Sequence, residues 1–485
     1  MKICIIAEGC YPYVVGGVSS WIDSLIRAFP QAEFSLVAIV AGRKTRGKFV
    51  YELPENLTSV TEVYLQDTDW NLRKKLGSLP RLRLKEREWE ALRTLVMDEK
   101  IDWDGVFRLF RSGDISIDRL LMSFEFYEII KAYYLKKYPT LAFTDFLWTM
   151  RSVYMSLFIA LQCRPPEADV YHCIATGYSG VIGSLAKAAA PDKALLLSEH
   201  GIYTREREEE IIKAKWVQGI YKDIWIEQFR KMSRCAYEAA DQVTALYMQA
   251  REMQVELGCR KEKITVTPNG VDVKAFEGIA QKEDNDPYIN VGAFVRVTPI
   301  KDIKTMISAF YYAQRQNPRL KLWIMGPDDE DEAYAAECRQ LAASLQAENI
   351  VFTGRIQTTD YIGKMDMTLL TSISEGQPLT ILESFAAKKP VIATNVGNCK
   401  GLIYGEADDF GAAGIVSPVL NVTQISQAIL TLAGNDSLRE TMGEIGYRRL
   451  LSRYTLQDMV RSYDRIYSTL AGDPSQSRPE SLKGR

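Results

Sequence analysis

Short apolar runs rich in β-branched residues, each bounded by turn residues, occur at residues 3–7, 34–40 and 194–197. They lack in–out alternation, which marks strands buried on both faces, as in a parallel sheet. Helical stretches fit between them. From about residue 261 a second series begins, with strand-like runs at 264–267, 288–292, 320–325, 350–353, 367–370 and 391–393. Strands alternating with helices build doubly wound α/β units. The pattern therefore predicts two Rossmann-like domains, residues 1–283 and 284–453, joined near residues 284–287 and facing one another across a cleft at the carboxyl ends of their strands. Between about 72 and 162 the rhythm becomes long, helical and aromatic-rich, with charged runs such as Lys85-Glu86-Arg87-Glu88. That stretch is expected to be a helical insertion in the first domain. An amphipathic segment, 454–470, is expected to form a last helix crossing back to the first domain, and the Pro/Ser/Gly-rich tail, 471–485, to be disordered.

Composition narrows the function classes. A chain of 485 residues exceeds one core of ordinary size. With 60 basic against 62 acidic side chains there is no broad field to gather nucleic acid, so phosphate binding has to be local. The eight cysteines form no C-x-x-C pair and there are two histidines, which argues against a structural zinc site or a disulfide framework and for a reducing compartment. The first residues lack a signal-peptide pattern and no segment reaches membrane-spanning length. A cytoplasmic protein is expected, recruited to the inner face of the membrane only through partners.

The most informative stretch is Ser374-Glu375-Gly376-Gln377-Pro378-Leu379-Thr380-Ile381-Leu382-Glu383-Ser384, which follows a strand and opens a helix. Pro378 suits the first helical position, where its missing N–H costs nothing. The amides from Leu379 and Thr380 onward then stand free at the positive end of the helix dipole, a ready phosphate seat. Glu375 precedes the seat and Glu383 lies one helical stretch beyond it, so the two carboxylates can take hydroxyls at opposite ends of one nucleotide. Upstream, a strand leads into a loop carrying Arg296 and Lys301. Fixed cations there would stabilise charge developing on a diphosphate leaving group, and Arg296 can bind it in bidentate fashion. The plainer readings are a capped surface helix and two solvated basic residues.

Taken in order, Arg296-x4-Lys301, Phe352-Thr353-Gly354-Arg355 and Glu375-x7-Glu383 resemble glycosyltransferase family 4, of GT-B fold. The first half agrees: Gly16-Gly17 is similar to that family's glycine loop, and Asp169-Val170-Tyr171-His172 to its strand before the acceptor cleft. Residues 7–18 and 198–205 resemble more narrowly the cytosolic glycosyltransferases of Pel-type exopolysaccharide assembly. The resemblance implies a retaining transferase that moves a hexose or N-acetylhexosamine from a UDP-sugar to a growing glycan, without a metal or other cofactor, beside membrane-bound polysaccharide synthase and export proteins. It implies that Arg296 and Lys301 hold the donor diphosphate, together with Gly17 and the stretch Gln377, Pro378, Leu379 and Thr380. Glu375 would take the transferred sugar's hydroxyls and Glu383 the ribose, Gly354, Arg355 and Ile356 would flank the base, and His200 would hydrogen-bond the donor sugar. Where the family often has Gly-Phe-Gly-Leu after its first glutamate, this chain has Gly376-Gln377-Pro378-Leu379, which leaves the choice of sugar open. The core is the expected place of His172.

Other patterns carry less. Gly42-Arg43-Lys44-Thr45-Arg46-Gly47-Lys48-Phe49 nearly spells a P-loop, but Phe49 replaces the required hydroxyl residue and extended sequence follows. Asp67-Thr68-Asp69 and Asp102-Trp103-Asp104 are Asp-x-Asp pairs of the metal-binding kind, read here as turn carboxylates. Glycine-rich Gly177-Tyr178-Ser179-Gly180 is read as close helix packing. Rival functions are a nucleotide-sugar epimerase or hydrolase on the same fold, and a non-catalytic nucleotide-sugar sensor.

Overall fold

The apolar runs assemble into two parallel sheets in the computed structural model, which describes residues 1–66, 80–97, 100–112, 115–406 and 408–472. The first contains β1 (Lys2–Glu8), β2 (Glu33–Val40), β3 (Leu57–Tyr64), β4 (Val170–Cys173), β5 (Ala194–Glu199), β6 (Gln242–Ala245) and β7 (Ile264–Val266), in the order β3-β2-β1-β4-β5-β6-β7. β4 and β5 are buried throughout, as unalternating runs require. The second contains β8 (Ile289–Phe294), β9 (Leu320–Met325), β10 (Ile350–Gly354), β11 (Met367–Leu370), β12 (Val391–Thr394) and β13 (Gly414–Ser417), in the order β10-β9-β8-β11-β12-β13. Each order reverses direction beside its first strand, between β1 and β4 and between β8 and β11. Ligands of doubly wound sheets bind at the carboxyl ends of strands flanking such a reversal.

The run at 264–267 was grouped by its pattern with the second series, yet Ile264 pairs with Val243 and closes the first sheet. A three-residue strand carries no mark of the sheet it will join. The chain divides into two compact units, Met1–Val266 with the end of the chain from Asp464, and Thr267–Tyr463. Residues 284–287, expected as the linker, therefore lie inside the second unit.

Between β3 and β4 stand helices Glu86–Met97, Trp103–Arg111, Ile117–Leu121, Phe124–Lys137 and Phe143–Leu161; residues 72–79, 98, 99, 113 and 114 of this stretch lie outside the described residues. Leu92, Leu95, Phe110, Phe126 and Phe158 share one apolar cluster with Cys4 and Ile6 of β1, so the insertion extends the core of the first unit. Asp102 accepts the Gly105 N–H at 2.9 Å and caps helix Trp103–Arg111, which accounts for it as an N-cap. Asp67 and Asp69 are outside the described residues, as is the tail from 473 on. The last helix, Leu456–Leu470, begins in the second unit, and its residues from Asp464 on belong to the first. There Tyr467 is fully buried, its ring 5.5 Å from Phe29.

Candidate functional site

In the second unit the loops after β8 and β11, the pair flanking the reversal, are sewn together. Ile373 N–H donates to Ile300 O at 2.8 Å, and Thr371 Oγ1 to Lys301 O at 3.0 Å. This brings Lys301 Nζ to 2.5 Å from Glu375 Oε1, with side chains only 18% and 11% exposed. Two residues 74 positions apart thus form one ion pair at the carboxyl edge of the sheet. Arg296 lies on the same loop, paired with Glu330, and both side chains are open to solvent. An exposed pair of this kind contributes about 1 kcal/mol at most, so an incoming anion can take the guanidinium at little cost.

Helix Leu379–Ala386 begins directly beyond, anchored by buried Ile381, Leu382 and Phe385. Pro378 does not occupy the first helical position; it is the flanking residue, with φ −69° and ψ 122°, and no side chain caps the helix start. Its fixed φ is satisfied equally in extended chain, which shifts the helix by one residue and leaves the Leu379 and Thr380 amides free of a side-chain cap. Gln377 is buried: its Oε1 accepts Asn269 N–H at 2.7 Å, while Asn269 Nδ2 donates to Gln377 O at 3.3 Å. The Glu383 carboxyl has no hydrogen-bond or ion-pair partner among the described residues, and burial alone pushes it up to about 7. Gly354 ends β10 at φ 69°, Arg355 after it is exposed, and Ile356 packs beside Phe294 and Met325.

Of the unpaired groups here, sequence reasoning named only Gln377. Thr298 Oγ1, Asp302 Oδ2, Ser372 Oγ, Gln377 Nε2 and Asn398 Nδ2 are buried with no hydrogen-bond partner among the described residues. They fall on the segments after β8, β11 and β12. Buried polar groups are normally bonded, so their gathering at one edge marks where a polar ligand fits. Gly397, at φ 50°, lies under the loop: a Cβ there would stand 2.2 Å from Glu375 O. Only turn-forming composition around 395–398 hinted at it.

On the first unit, helix Gly17–Ala28 opens at Gly17, after an extended Gly16 (φ 174°) with open space where a Cβ would be. That helix carries Trp21, whose ring lies 4.2 Å from that of His200 at the end of β5. His200 Nε2 is buried without a partner among the described residues, and burial pushes the imidazole down to about 3, leaving it neutral. His172 is fully buried and bonded at both nitrogens, to Tyr467 Oη at 2.7 Å and Ser198 Oγ at 2.8 Å, the core role expected for it. Glu8 accepts the Tyr178 and Ser179 N–H groups and the Tyr203 hydroxyl, and so serves the start of helix Tyr178–Ala189, where the glycine-rich stretch packs. The Gly42–Phe49 stretch has a single 3-10 turn, Arg43–Thr45, and no α-helix lies between it and β3. Among the described residues no group of three or more His, Cys, Asp or Glu is arranged to hold a metal ion, and no helix is long and apolar enough to cross a membrane.

Comparison with known proteins agrees with this layout. Residues 1–262 match the family described as a domain of unknown function, DUF3492, and residues 288–435 match glycosyl transferases group 1. The alpha-monoglucosyldiacylglycerol synthase of Streptococcus pneumoniae is 24% identical over 426 residues, covering 81% of this chain and 90% of that protein. A UDP-Gal:alpha-D-GlcNAc-diphosphoundecaprenol alpha-1,3-galactosyltransferase of Escherichia coli is 26% identical over 260 residues, 51% of this chain and 63% of its own. Among solved structures, Anabaena HepE in complex with UDP and glucose superposes with a TM-score of 0.60 at 14% identity, covering 97% of this chain and 100% of that one. Sucrose-phosphate synthase from Thermosynechococcus elongatus gives 0.62 at 16% identity, covering 97% and 99%.

Proposed function

Since the chain belongs to the DUF3492 family and is a group 1 glycosyltransferase of GT-B fold acting on nucleotide sugars, we propose that it is a retaining transferase that takes a hexose or N-acetylhexosamine from a UDP-sugar and extends a glycan, in exopolysaccharide assembly of the Pel type. The observation that carries the reading is the Lys301–Glu375 pair beside the uncapped start of helix Leu379–Ala386. A cation and free amides suit a diphosphate, and the carboxylate, released as the diphosphate takes Lys301, is free to accept sugar hydroxyls. UDP is favoured as the carrier because HepE was solved with UDP and glucose, and the Escherichia coli relative is named for UDP-Gal.

In the proposed reaction the bond from the anomeric carbon to the phosphate oxygen breaks, and a bond to the acceptor oxygen forms on the same face. The acceptor's proton passes to the departing phosphate oxygen. Arg296, Lys301 and the Leu379 and Thr380 amides stabilise the charge left on the diphosphate. Glu383 receives the ribose hydroxyls, and His200, neutral with Nε2 unbonded, meets a hydroxyl of the transferred sugar. With fixed cations in that role, no metal is required, and chelation is expected to leave turnover unchanged. The protein would work in the cytoplasm beside membrane-bound synthase and export proteins.

The test follows UDP release from UDP-glucose and UDP-N-acetylglucosamine, with and without oligosaccharide, and the anomeric configuration of the product by NMR. Arg296→Ala should lower kcat by about a hundred- to a thousand-fold with the circular dichroism spectrum intact. Undiminished turnover in the folded variant refutes the diphosphate site. Free epimerised or hydrolysed sugar formed equally well without acceptor would instead favour the epimerase or hydrolase.

A further inference from the structure

The near P-loop at Gly42–Phe49, outside the proposed donor seat, concentrates positive charge in a chain whose net charge is −2. Arg43, Lys44, Arg46 and Lys48 fall within six residues and all four are exposed. Lys44 and Lys48 have no ion-pair or hydrogen-bond partner among the described residues. Arg46, with 72% of its side chain exposed, reaches a carboxylate only at 4.0 Å, that of Glu62. The loop leaves the carboxyl end of β2 and is fastened to the loop that leaves neighbouring β1. Val50 N–H donates to Pro12 O at 2.9 Å, the Tyr13 and Phe49 rings are 5.4 Å apart, the Tyr11 and Tyr51 rings 5.1 Å, and Gly47 N–H donates to Glu62 Oε1, which also takes the Tyr13 hydroxyl. The result is one lip rather than two loose loops. Its apolar members do not turn inward: Val14 is 44% exposed, Val15 40% and Val50 54%.

We propose that this lip is a membrane-docking surface for anionic lipid, the four cations meeting headgroup phosphates while Val14, Val15 and Val50 enter the interfacial region. A soluble phosphate compound would account for the cations and leave three exposed valines unexplained. A neutral apolar partner would account for the valines and leave the unpaired lysines unexplained. A bilayer rich in anionic lipid meets both, since basic residues near such a surface and shallowly inserted apolar ones add their contributions. The exposed Trp216, at 69% the most open large apolar side chain among the described residues, lies on the separate connection between helices Tyr203–Lys213 and Tyr221–Ala239 and serves as a control.

The experiment is co-sedimentation of the full chain with vesicles of phosphatidylcholine alone and of phosphatidylcholine mixed with phosphatidylglycerol, across a salt series. It needs no UDP-sugar, so its outcome is independent of the donor reading. Binding should appear with the anionic vesicles only and weaken with salt. Since each cation near such a surface is worth roughly five-fold in partition, Lys44→Glu with Lys48→Glu should reduce binding at least ten-fold. Val50→Ser with Val14→Ser should also weaken it, whereas Trp216→Ala should not. A circular dichroism spectrum and melting temperature equal to wild type confirm that each variant is folded. Equal binding to both vesicle types, undiminished binding by the charge-reversed variant, or loss with Trp216→Ala alone would overturn the assignment.

Discussion

At the scale of single residues, the proposed site sets two charges against each other. Lys301 and Glu375 neutralise one another until an anion claims the cation, so neither carries an unpaired charge in a mostly buried position. Glu383 meets the same problem without a partner, and burial raises its carboxyl from 4.5 to about 7. The sign follows from linkage: the folded chain keeps a proton that the unfolded chain gives up between those values, so this group's contribution to stability is lost as pH rises through that window. In the proposed site ribose hydroxyls would donate to the charged form, so donor binding would expel the proton. Affinity for UDP-glucose, whose diphosphate does not titrate in this range, should rise with pH and level off above about 7, falling up to about ten-fold per pH unit below it. Glu383→Gln should flatten that dependence and weaken binding on the plateau, as read by isothermal titration calorimetry. A pH-independent wild type would remove Glu383 from the nucleotide site.

At the scale of elements, helix Leu379–Ala386 owes its direction to its buried face and its proposed role to its uncapped start. The sequence showed the helix, the proline and both glutamates, because apolar spacing and proline chemistry are local. It misplaced the start by one residue, since a fixed φ is compatible with the last extended residue as well as with the first helical one. Gly397 was marked only by turn-forming neighbours: its requirement comes from carbonyls 21 and 22 residues earlier in the chain, brought beneath it by the fold. Gly397→Ala must leave its left-handed conformation or push the Glu375 loop away, at a cost of about 1–2 kcal/mol. Affinity for UDP-glucose should fall at least ten-fold, the unfolding of the first unit remaining as in wild type. Unchanged affinity would mean that the loop is held by other contacts.

At the scale of the whole molecule, two units with separate apolar cores, one around β1 and the insertion and one around β8 and helix Ile303–Gln316, need not unfold together. The proposed diphosphate seat belongs to the second. UDP at about a hundred times its Kd should therefore raise the second unit's transition by about 5–10 °C, resolved by calorimetry, and leave the melting of the isolated first-unit core unchanged. A shift confined to the first unit's transition would place the nucleotide elsewhere.

By itself the sequence marked most of the strands, though not β3, β6 or β13, their alternation with helices in two series, and the residue types proposed for the donor seat. All of these follow from periodicity and backbone chemistry that act within a few residues. Tertiary structure alone decided that β7 completes the first sheet, that Lys301 meets Glu375 across 74 residues, that Trp21 packs against His200, and that a stretch resembling a P-loop forms a basic lip with the β1 loop. Those outcomes depend on which strands become neighbours, and strand pairing is settled by packing among segments far apart in the chain.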